Sequence, residues 1–151
     1  MWKQIFKATL IAGSLDIIAA CTQAWFAKST PPDIILKYIA SAVFGKDAFA
    51  GGTGMILSGL LFHFMIAFAC TLVYFMLYPK IKLLHRHICI SALFIALIAW
   101  AVTTRLIVPM SQIKPPPFNF TKAFIAVSIL YFCIGLPVSF LAKRFYSKKE
   151  I

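Results

Sequence analysis

Asp16, His63 and Arg105 are the side chains best placed to do chemistry, because each falls inside a separate apolar stretch long enough to cross a bilayer. Ionisable groups at membrane depth are costly, so they face the interior of a bundle or a water-filled cavity, pair with one another, and mark binding sites or proton relays. Gln23, two turns beyond Asp16 on the same stretch, adds a neutral donor and acceptor to the group. The chemistry on offer is proton exchange near neutral pH through the histidine, with the acid favouring the imidazolium and the arginine the neutral ring. The alternative is a structural clamp, in which Asp16 neutralises Arg105 or His63 and the cluster only holds helices together.

Other chemistries find no support. A metal or haem site on His63 lacks a second ligand, since His85 and His87 lie together between two apolar stretches. Cys21, Cys70, Cys89 and Cys133 show no Cys-x-x-Cys spacing and read as small packing residues. No Ser-His-Asp order and no paired acids suggest catalysis, so no catalytic residue, cofactor or metal is expected.

The elements that must position these residues follow from composition. Hydrophobic residues make up 62% of the 151 positions and charged residues 13%, too apolar for a soluble core of this length. The chain reads as one all-α membrane domain, a bundle of four transmembrane helices at about 4–27, 55–78, 88–108 and 121–142. A short amphipathic helix over about 31–44 occupies the first long loop: Thr30 is its N-cap, Pro31 and Pro32 open it, Asp33 is in its first turn, and Gly45 ends it. Its apolar side holds Ile34, Ile35, Tyr38, Ile39, Ala42 and Val43, with Lys37 and Ser41 opposite, so it lies on the membrane surface or folds back as a cap. Pro109 is expected to stop the third helix, and Lys114 with Pro115, Pro116 and Pro117 to form a stiff spacer. Asn119-Phe120-Thr121 is formally a glycosylation sequon at the start of the fourth span.

Small and polar residues recur on one stripe of each span, letting helices approach closely and turning the ionisable residues inward. On the first they are Thr9, Ala12, Gly13, Asp16, Ala19, Ala20, Gln23 and Ala27; on the second Gly59, His63, Ala67, Cys70, Thr71 and Tyr74; on the fourth Ser128, Tyr131, Gly135 and Ser139. Pro137 should kink the fourth helix. Counted from the cytoplasmic ends, Asp16, His63 and Arg105 lie roughly 18, 22 and 25 Å deep, a shared level in the outer half. Arg105, close to the end of its span, has the length to snorkel outward instead.

Charge sets the orientation. Lys3, Lys7, Lys80, Lys82, Arg86, Lys143, Arg144, Lys148 and Lys149 fall inside when both termini are cytoplasmic, against Lys28, Lys37, Lys46, Lys114 and Lys122 outside, a ratio of nine to five. The net charge of +11 is then explained by anionic lipid, and no nucleic acid is expected as a partner. The partners in prospect are the bilayer and a membrane protein or a second copy of the chain. A rival reading makes Ile18-Ala19-Ala20-Cys21 a lipobox with Cys21 acylated, but Asp16 inside the apolar segment and the apolar continuation through Trp25 and Phe26 oppose it.

The run from His63 to Tyr74, then Tyr78-Pro79-Lys80-Ile81-Lys82-Leu83, Pro109 followed by Pro115-Pro116, and Ile11-Ala12-Gly13 resemble the YagU-like family of small bacterial inner-membrane proteins. The resemblance spans about 100 residues in spacing, roughly two-thirds of a chain that reads as one domain. It implies a multi-pass inner-membrane protein with four helices, in a family without an established activity. Asp16 and Arg105 do not match that pattern. Two classes of function stay open: a transport or pH-responsive protein working through the buried cluster, and a non-catalytic membrane partner or assembly subunit.

Overall fold

The computed structural model describes residues 1–110 and 117–147, and among them every regular element is helical. In chain order these are α1 (Trp2–Lys28), α2 (Pro32–Phe44), α3 (Asp47–Ala50), α4 (Thr53–Leu77), a 3₁₀ turn (Tyr78–Lys80), α5 (Lys82–Arg86) and α6 (Ile88–Val102). A π turn (Thr103–Ile107) leads into α7 (Val108–Met110), and the last helix comprises α8 (Phe120–Leu130), a second π turn (Tyr131–Gly135) and α9 (Leu136–Ser147). Four continuous helical stretches, Trp2–Lys28, Thr53–Lys80, Ile88–Met110 and Phe120–Ser147, are long and apolar enough to cross a membrane. Less than a third of each one's apolar window is buried within the bundle, 22% to 31%, so most of that surface faces outward, as it can where the solvent is lipid. The fourth runs past residue 142 because Lys143 and Arg144 suit a helix C-terminus.

Small residues set how closely the helices pack. At Gly135 an added methyl would stand 2.5 Å from the Ala92 carbonyl oxygen of α6, and at Gly59 it would collide with the Leu36 carbonyl of α2. Gly13 on α1 instead meets the ring edge of Phe64, 2.8 Å from where a Cβ would be. A core of Ile5, Ala8, Tyr74, Phe75, Tyr78, Leu84, Ile95, Val138 and Ala142 fills the end of the bundle where the chain begins and ends. There the Tyr74 hydroxyl of α4 hydrogen-bonds the Ser91 hydroxyl of α6 and, at 2.9 Å, the Ser139 hydroxyl of α9. One phenol thus ties three helices.

Pro109 lies in the last described turn of the third helix, which runs one residue beyond it to Met110, after a π turn. Proline's ring crowds the carbonyl four residues back, and the wider turn relieves that crowding: the Val108 N–H reaches past Arg105's neighbourhood to the Thr103 carbonyl. The fourth helix repeats the device. Leu136 N–H bonds the Tyr131 carbonyl just before Pro137, so the expected disturbance at Pro137 takes the form of a π turn.

α2 folds back against α4 and α1. Its N-cap is Pro31 and not Thr30, since Pro32 at the first helical position has no N–H to satisfy. The expected faces also change: Ser41 is fully buried with Ala40, whereas Val43 is 60% exposed. The Ser41 hydroxyl donates to the Tyr38 carbonyl at 2.6 Å, which removes the cost of burying it and leaves a side chain small enough for a helix contact. Asn119 caps α8, its side-chain oxygen accepting from the Lys122 N–H at 3.0 Å. The spacer of Lys114, Pro115 and Pro116 lies outside the described residues.

Candidate functional site

Asp16 and His63 line one cavity of about 230 Å³ between α1, α2, α4, α6 and the last helix. α1 places Asp16 there because Ala12 and Gly13, one turn earlier, let α4 come close, and Ala20, one turn later, opens space beside the carboxyl. The α4 stripe behaves as its spacing implies, with Gly59, His63, Ala67, Cys70, Thr71 and Tyr74 all buried. Ile35, Tyr38 and Ile39 of α2 close the cavity, so the helix of the first loop is a wall of the site. The π turns contribute Thr103 and Ile134, and such turns recur where a helix serves a site. The remaining walls are isoleucine, leucine, alanine and Cys70.

His63 is 9% exposed, and its Nε2–H donates to the Gly13 carbonyl at 2.8 Å. A carbonyl only accepts, so that bond fixes the neutral ring's proton on Nε2. The ring also meets Phe64 edge-on, with centroids 5.4 Å apart. Asp16 is half-buried and shares the lining of this cavity with His63 and Cys70. Among the described residues no donor hydrogen-bonds its carboxylate.

The other two members of the anticipated cluster are elsewhere. Arg105 is exposed and does not line the cavity, so of the two expected partners of Asp16, Arg105 or His63, only His63 shares its cavity. The cause is the π turn, which changes the rotational phase that a straight helix would give Arg105, together with a side chain long enough to reach outward. Gln23 is exposed as well, as is Ala27 on the same stripe of α1. Tyr38, Cys70 and Thr103 are the polar wall residues that sequence reasoning did not assign to the cluster. Tyr38 was readable only as part of an apolar face, and Cys70 only as a packing residue two turns beyond His63.

Among the described residues no three His, Cys, Asp or Glu side chains gather as metal ligands. Compared with family models, curated proteins and solved structures, the chain matches none. The reading of function therefore rests on the cavity.

Proposed function

We propose that this chain is a small polytopic protein of the bacterial inner membrane, of the YagU-like kind, with both termini cytoplasmic and a proton-responsive ligand or transport site at Asp16 and His63. The observation that carries the proposal is the cavity itself: an acid and an imidazole line one mainly apolar space, next to two π turns. A cavity of about 230 Å³ exceeds the roughly 150 Å³ that suffices for benzene in an engineered apolar core.

The second reading, a structural clamp in a non-catalytic membrane partner, is favoured by the bond from His63 to the Gly13 carbonyl at the α1–α4 contact. Two substitutions separate the readings. Gln in place of His63 keeps an N–H donor for the Gly13 carbonyl but cannot titrate; Leu removes the donor as well. Hydrogen exchange in nanodiscs between about pH 5 and 8 should show a pH-dependent change in α1 and α4 protection that His63→Gln abolishes. An unchanged pH profile in His63→Gln, with only His63→Leu loosening the helices, would establish the clamp.

A further inference from the structure

The walls of the Asp16 cavity specify a ligand class. Ile17, Ile35, Ile39 and Ile66 present aliphatic surface, Tyr38 an aromatic ring, and Asp16 a carboxylate without a donor among the described residues. Charge arithmetic restricts what can enter. With Asp16 ionised, the pair carries −1 when His63 is neutral and 0 when His63 is protonated, so an anion gains nothing and an organic cation completes the site. The groups facing Asp16 from the packed elements are His63 and Cys70 on α4, Tyr38 on α2 and Cys133 on the second π turn, while Ala99 and Thr103 bring no charge from the third helix.

We propose that the cavity binds a small organic ammonium, its apolar body against the isoleucines and its charge beside Asp16. The proposal rests on the reading of this cavity as a ligand site and adds the class of ligand. Apolar walls supply burial, the carboxylate supplies charge complementarity at low dielectric, and the Tyr38 ring offers a π face to the cation. A quaternary ammonium carries no N–H, so it meets Asp16 through charge alone. Protonation of His63 supplies Asp16 with an internal countercharge and so competes with the ligand, which couples occupancy to pH.

Calorimetric titration of the full chain in nanodiscs, against empty nanodiscs, tests this with three probes of one shape: benzyltrimethylammonium, its neutral carbon analogue neopentylbenzene, and the anion phenylmethanesulfonate. The cation should bind best. Asp16→Asn should weaken the cation by about tenfold or more while leaving the neutral analogue unaffected. Acidification should weaken the cation in the native chain and have a smaller effect in His63→Gln. Neutral analogue bound as tightly as the cation by the native chain overturns the ammonium assignment and leaves a ligand site of apolar type, a comparison that needs no variant to fold. Equal cation binding by Asp16→Asn has the same meaning. Failure of all three probes to bind overturns both the ammonium assignment and the ligand-site reading beneath it.

Discussion

Tyr74 concentrates more of the bundle's polar bonding than any charged residue, because its hydroxyl meets Ser91 and Ser139 from two other helices while its ring is wholly buried. Changing it to Phe keeps the ring's packing and strips both serines of this partner. The expected cost is about 1–3 kcal/mol, since buried hydroxyls lose a bond that the interior cannot replace. Reversible unfolding in detergent micelles should register it, and a Tyr74→Phe protein as stable as the original would show that the serines find other partners. Asp16 and Arg105 make the opposite case. One faces a cavity and the other is exposed, so Asp16→Asn and Arg105→Gln should be additive in stability to within about 0.5 kcal/mol. A larger coupling in the double-mutant cycle would mean that they touch.

At the scale of the helices, three glycines permit three contacts, and their substitution by alanine should rank by what the new methyl meets. Gly59 and Gly135 face backbone carbonyls of Leu36 and Ala92, which move only if a whole helix moves. Gly13 faces the edge of the Phe64 ring, a side chain that can rotate. Gly59→Ala and Gly135→Ala should therefore each cost about 1–3 kcal/mol, the range for overpacking, and Gly13→Ala less. Thermal unfolding of the three variants in one detergent gives the order, and Gly13→Ala as the most damaging would refute it. The α4 stripe was legible because six inward residues follow a single helical phase from Gly59 to Tyr74. Arg105 was not, because a π turn breaks that phase and its only signal in the chain is the proline that follows. Ser41 misled for a local reason: its hydroxyl closes on its own helix, so a residue polar by type packs as a small apolar one.

On the scale of the whole molecule, four helices long and apolar enough to cross a membrane were readable from apolar length alone, since a bilayer demands about 20 residues whatever the packing. The cavity was not, because it arises from five elements converging and no single stretch encodes the space between them; what the sequence held was two of its walls, Asp16 and His63, at a common depth. Orientation remains a matter of charge. Lys3 and Lys7 open the chain, Lys143 and Arg144 lie in its last helix, and Lys80, Lys82 and Arg86 join them at the same end of the bundle, where Ile5, Tyr78, Leu84 and Ala142 share a core. That end should stay in the cytoplasm, because short loops rich in Lys and Arg are retained there during insertion. With the native cysteines replaced, a probe at the exposed Lys46→Cys should react with a membrane-impermeant maleimide in cells with a permeable outer membrane, and one at the exposed Ser147→Cys only after the inner membrane is opened. Reaction at position 147 before opening would invert the topology, and would put the basic end, not the Asp16 cavity, nearer the outside.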